Sequence, residues 1–131
     1  MSEIQYRGRR AQALDNGVLE IVVTVGGGHL AAVTDKASKI NPLWSPPWPS
    51  IEPSQFDPVK HKEYGSNSES KLLAGILGHN LCMDIFGGPS DAEAAAGMTV
   101  HGEASVVDYD VMAKGDTLTQ RAVFPQAADR W

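Results

Sequence analysis

The chain has 131 residues, of which 42% are hydrophobic and 21% charged, and it carries a net charge of -5. That length suits one domain with a real core, so residues 1–131 are read as one unit, and the negative balance argues against a nucleic-acid backbone as main partner. The lone cysteine, Cys82, excludes an intrachain disulfide. No apolar run approaches the ~20 residues of a membrane span and no signal-like pattern opens the chain, so a cytoplasmic protein without a membrane partner is expected.

The first third reads as β-structure. Ile4 to Leu14 has strand character, and Asp15-Asn16-Gly17 supplies a turn in which Asn-Gly favours positive φ. Arg7, Arg9 and Arg10 alternate with small residues, which predicts a solvated strand face rather than a phosphate site. Val18 to Val25 is dense in β-branched residues, as a sheet strand should be. Gly26-Gly27-Gly28 lacks the spacing of a dinucleotide or P-loop fingerprint and predicts a tight turn into a further run, His29 to Thr34. With the polar turn Asp35 to Lys39, these segments suggest an antiparallel meander.

From Asn41 to about Ser70 the character changes. Pro42, Pro46, Pro47, Pro49, Pro53 and Pro58 forbid a regular helix or central strand. Trp44, Trp48, Ile51 and Phe56 fall in the same stretch, which predicts a long loop packed onto the domain. Lys71 to Phe86 is apolar with His79, Asn80 and Asp84 embedded, and Leu81-Cys82-Met83 predicts a buried, inert thiol. Ser90 to Ala96 has the pattern of a short helix, with Ser90 as N-cap, Glu93 at the capping-box position and Gly97 as its stop. Val106 to Met112 and Thr117 to Phe124 flank Lys114-Gly115-Asp116, a hairpin turn. Pro125 to Trp131 carries no signal of its own.

Two groups of residues bear on chemistry. Met98 to Ala104 reads as a strand, and on a strand His101 and Glu103 share a face. An imidazole beside a carboxylate suits acid–base work near neutral pH, or else marks a buried histidine bonded to backbone beside an edge glutamate. Trp44 and Trp48 form either an aromatic platform for a sugar ring, with Asn41, Glu52 and Asn67 to bond hydroxyls, or apolar plugs that hold the loop on the sheet. Among the other histidines, His29 reads as structural and His61, set among Lys60, Lys62 and Glu63, as solvated. No histidine pair has the spacing of a zinc helix motif, and no metal is expected.

The order of several pieces resembles the N-terminal part of the galactose-mutarotase-like, or aldose 1-epimerase, superfamily. They are Asn16-Gly17-Val18-Leu19, Gly27-Gly28-His29-Leu30, Asn41-Pro42-Leu43-Trp44, Gly78-His79-Asn80-Leu81-Cys82 and Thr99-Val100-His101-Gly102-Glu103-Ala104. The resemblance implies an all-β fold, the N-terminal part of an antiparallel β-sandwich, and a small-molecule carbohydrate as ligand. It implies a cofactor-free isomerase that interconverts sugar anomers by acid/base ring opening. His101 matches the family's first active-site histidine and is the expected catalytic residue. Glu103, His79, Asn80, Trp44 and Trp48 are the expected substrate-binding residues.

The family's second histidine and catalytic glutamate come from later strands than this chain contains, and Glu103 stands too early to be that glutamate. A second copy of the chain, or a C-terminal portion, is therefore expected to complete the sandwich. A non-catalytic carbohydrate-binding module and a structural half-domain are the alternative readings.

Overall fold

A computed structural model describes residues 3–128. Four strands, β1 (Ile4–Tyr6), β2 (Arg9–Asp15), β3 (Leu19–Thr24) and β4 (Leu30–Asp35), form an antiparallel sheet in the order β1-β2-β3-β4, the expected meander. A second, two-stranded antiparallel sheet pairs β5 (Asp110–Lys114) with β6 (Thr117–Arg121), and it packs against β2. Helices are short: α1 (Ser70–Gly75), α2 (Asp91–Ala95) and α3 (Pro125–Ala128). The fold is mostly β, as the sequence suggests.

Local chemistry explains the turns. Asp15 Oδ1 accepts from the Gly17 N–H and Asn16 Oδ1 accepts from Val18 and Leu19 N–H groups, so side chains supply the partners that the β2–β3 turn lacks. The single strand expected over Ile4 to Leu14 is in fact two, because Arg7 and Gly8 both take positive φ (50° and 82°) and reverse the chain. The Ser90 capping box forms as predicted: the Ser90 hydroxyl accepts from Glu93 N–H while the Glu93 carboxylate accepts from Ser90 N–H at 2.8 Å. α1 was not anticipated from the apolar run that begins at Lys71.

One core cluster lies on the sheet, where Ala11, Val22, Ala31, Ala32 and Leu77 are buried together, with Ile4, Tyr6 and Ala13 packed around them. The alanines keep the sheet face shallow, which lets the loops approach its backbone closely. The proline-rich stretch from 41 to 70 is such a loop: Ile51 N–H donates to Ala74 O at 2.8 Å and Arg7 Nη2 to Pro46 O at 2.9 Å.

The basic cluster is where the solvated-face reading fails, although Arg9 and Arg10 do lie on β2. Arg10 is half-buried, with Nη2 at 2.8 Å from Asp108 Oδ2, whereas Arg9 is fully buried. A guanidinium in the interior needs a counterion and acceptors. Arg9 Nε lies 3.2 Å from Glu52 Oε2, Nη2 donates to Gly26 O at 2.6 Å, and Nη1 donates to Gly75 O. Burial pulls Arg9 below its usual pKa, and Glu52 opposes that shift. Glu52, 5% exposed, also accepts from Arg10 N–H at 2.6 Å through its other oxygen. One side chain thus joins β2, the turn after β3, the proline-rich loop and α1.

His29 makes a second buried link and is structural, as expected. Its Nδ1 accepts from Leu77 N–H at 3.2 Å and its Nε2 lies 2.8 Å from Ser105 O, which fixes the neutral tautomer with the proton on Nε2. Gly27 makes room for this: its φ is +75° and an added Cβ would meet Ser105 O at 2.2 Å. Burial lowers the His29 pKa from 6.5 to about 4.

Two predictions follow from these buried groups. Glu52→Gln leaves Arg9 charged in the interior and should cost about 3–5 kcal/mol, read as a fall in the urea midpoint; a loss under 1 kcal/mol contradicts the role given to the pair. His29 binds a proton more readily unfolded than folded, so its contribution is complete above pH 6.5 and is lost as pH falls towards about 4. That loss amounts to roughly 3 kcal/mol. Unfolding free energies measured across this window should show the slope, and His29→Gln should flatten it.

Candidate functional site

The segment Met98 to Ala104 is not a strand. It folds as consecutive turns, and all of it is buried except half-buried His101. His101 and Gly102 take φ of +63° and +85°, and two successive left-handed residues reverse the chain where a strand would run on. The reversal is pinned on every side. Thr99 Oγ1 donates to Gly102 O at 2.8 Å, Gly102 N–H donates to Thr99 O at 3.2 Å, and Val100 N–H donates to Ser68 O at 3.1 Å. Val100 also packs with Leu72 of α1 and Val106 in a small buried cluster.

His101 is held by a two-point clamp. Its N–H donates to Gly87 O at 2.8 Å, and its Nδ1 accepts from Gly87 N–H at 3.0 Å. With Nδ1 occupied as an acceptor, the neutral imidazole carries its proton on Nε2. No described residue bonds that Nε2–H, so it is an available donor. Phe86 leans on the ring, with centroids 5.4 Å apart and planes at 51°, while 91% of Phe86 remains exposed. Leu81 and Met83 are also exposed nearby in sequence, and Met83 N–H donates to His101 O at 3.1 Å.

Glu103 departs from its expected partnership with His101. It is 5% exposed, its Oε2 accepts from Ala127 N–H at 2.7 Å, and it lines a cleft of about 420 Å³ with Lys71, Val106, Asp108, Val123 and Gln126. His101 does not line that cleft. The left-handed pair between them turns the two side chains to different surroundings, so the shared strand face does not exist.

The remaining expected residues fall in two places. Trp44 and Trp48 meet edge to face at 5.8 Å; Trp44 is exposed, and the half-buried Trp48 donates from Nε1 to Leu73 O at 3.0 Å. His79 is exposed and bridges Leu30 of β4 through backbone bonds of 2.9 and 3.0 Å, and half-buried Asn80 follows it. Gly78 N–H donates to Trp44 O at 2.9 Å, which sets Trp44 beside this bridge.

Two further expectations change. Cys82 is exposed rather than buried, because the segment from Leu81 to Asp84 runs along the surface. His61 is half-buried, stacked on Phe56 with ring centroids 5.8 Å apart, and its Nδ1 accepts from Asp57 N–H at 3.0 Å.

Phe86 is the site residue that the sequence reading passed over. Its signal was the pair Gly87-Gly88 directly after an aromatic residue, which marks a segment that bends sharply with its side chain left outside. Among the described residues, no three His, Cys, Asp or Glu side chains converge as a metal would require. No helix among them is long and apolar enough to cross a membrane.

The turn gives a direct test of how tightly the segment is specified. A Cβ at Gly102 would lie 1.9 Å from Met83 O, at a φ that side chains resist. Gly102→Ala should therefore lower stability by about 2–4 kcal/mol and release the His101 clamp, seen as a lost thermal midpoint and a shifted His101 ring resonance. An unchanged midpoint contradicts the packing described. A scan against protein-family models, a search of curated proteins and a search of solved structures all find no match to this chain.

Proposed function

We propose that this chain binds a free aldose at His101 and Phe86 as part of a galactose-mutarotase-like β-sandwich, and that it serves aldose 1-epimerase chemistry there. The observation that carries the reading is the His101 clamp. A non-glycine residue held at φ +63° stores strain of about 1–2 kcal/mol, and such strain concentrates where a side chain must be aimed. What the clamp aims is an Nε2–H donor next to the exposed face of Phe86. A sugar ring laid on that face would bring its ring oxygen within reach of the donor. A hydrogen bond from Nε2–H, a proton the imidazole keeps, would stabilise the charge that builds on the ring oxygen as its bond to the anomeric carbon breaks; water protonates that oxygen, and closure after rotation gives the other anomer.

Ring opening also needs a base for the anomeric hydroxyl proton. Glu103 does not serve, since it faces another cleft and holds Ala127 N–H. The base would come from a later segment or a second copy of the chain completing the sandwich. This same observation favours one second reading, a carbohydrate-binding module that holds sugars without converting them.

NMR exchange spectroscopy on free glucose and galactose separates the two. In the epimerase reading the chain accelerates anomer exchange, and His101→Asn, which tolerates positive φ but lacks the imidazole, should lower the rate by about 10²-fold or more. Sugar-dependent shifts at Phe86 without accelerated exchange would leave the binding module. If neither is seen, the sugar reading is wrong.

A further inference from the structure

We propose that the cleft between the proline-rich loop and α1 is a separate ligand site, and that it takes a small quaternary ammonium ion. The cleft holds about 380 Å³ and is lined by Trp48, Pro49, Ile51, Glu63, Tyr64 and Leu73. That volume lies within the range of small-molecule sites. His101 does not line it, and the proposal does not depend on the sugar reading.

The chemistry of the lining selects the ligand. Both aromatic residues donate their polar hydrogens to backbone carbonyls: Trp48 Nε1 donates to Leu73 O at 3.0 Å, and the Tyr64 hydroxyl donates to Pro49 O. Their rings are therefore left as apolar walls, fixed in place by those bonds. A sugar would find few partners for its hydroxyls on those two rings.

Glu63 is the one charged residue of the lining. It is exposed and makes no ion pair among the described residues, while its neighbour Lys60 pairs with Asp57 at 3.8 Å. Burial first, and the Glu63 charge second, push the Tyr64 hydroxyl above its usual pKa, so the carboxylate's field reaches the cleft wall. Aromatic faces beside a single carboxylate attract a cation. A primary ammonium or a guanidinium brings several N–H donors, and the side-chain acceptors of this lining are the Glu63 carboxylate and the Tyr64 hydroxyl oxygen alone. A quaternary ammonium brings none, spreads its charge over methyl groups and matches apolar walls. The net charge of -5 adds a weak general attraction for it.

Choline and its uncharged isostere 3,3-dimethylbutan-1-ol test this on the full chain, with the Trp48 indole N–H followed in two-dimensional NMR. Choline should shift that resonance saturably, and the isostere should bind roughly three- to tenfold more weakly. Glu63→Gln, a surface change that leaves the packing intact, should weaken choline by a similar factor and leave the isostere unaffected. Absence of a saturable choline shift at Trp48 overturns the proposal. So does equal binding of the two compounds that is indifferent to Glu63→Gln, since the cleft would then be only an apolar crevice.

Discussion

The fold depends on keeping one guanidinium charged in the interior. Removing Arg9 from water is expensive, and the cost is offset only if a counterion and several acceptors are brought to it. Those partners come from Glu52 and Ser50 in the proline-rich loop, from Gly26 after β3 and from Gly75 at the end of α1. Segments far apart in sequence therefore have to converge on one point. This explains why a loop with so many prolines lies flat on the sheet rather than in solvent. It also explains the glycine at 26, where a Cβ would lie 2.6 Å from Glu52 Oε2.

The constraint extends to His101 through short steps. Gly27 N–H donates to Val107 O at 2.7 Å, Tyr109 N–H to Val25 O at 2.9 Å, and His29 holds Ser105 O. The segment 105–109 is thus fastened along the glycine turn that Arg9 organises. Immediately before it, Val106 and Val107 N–H groups bond Glu103 O, and the left-handed pair 101–102 follows back from there. The strained conformation of His101 persists because the backbone is fixed on both sides of it. A loop free at either end would relax.

How much of this was readable follows from which interactions are local. The Asn16-Gly17 turn, the Ser90 capping box and the hairpin about Gly115 each depend on residues within a few positions, and all were legible. The strand read across Ile4 to Leu14 failed at Arg7-Gly8, where an arginine in the left-handed region leaves no compositional mark. Arg9 read as surface because alternation with small residues describes a solvated face equally well. Its counterion lies 43 positions away in sequence, at Glu52. The strand expected at Met98 to Ala104 rested on apolar flanks, yet those flanks are buried by packing against α1, an element the sequence did not announce. Phe86 closes an apolar run and so draws no notice of its own, although Gly87-Gly88 after it marks the bend that leaves it outside.

The separation of His101 from Glu103 is set by the backbone and not by a rotamer. Side chains two apart on a strand differ by a full pleat and return to the same face, whereas here the left-handed dihedrals of His101 and Gly102 reverse the chain. No rotation about side-chain bonds restores the shared face, because Glu103 is buried on Ala127 and His101 is anchored on Gly87. An acid and a base acting on one sugar must both reach the oxygens of its anomeric centre. A turn that presents one donor outward and withdraws its neighbouring carboxylate supplies half of that arrangement. Under the sugar reading, the group that complements His101 therefore has to come from somewhere other than Glu103.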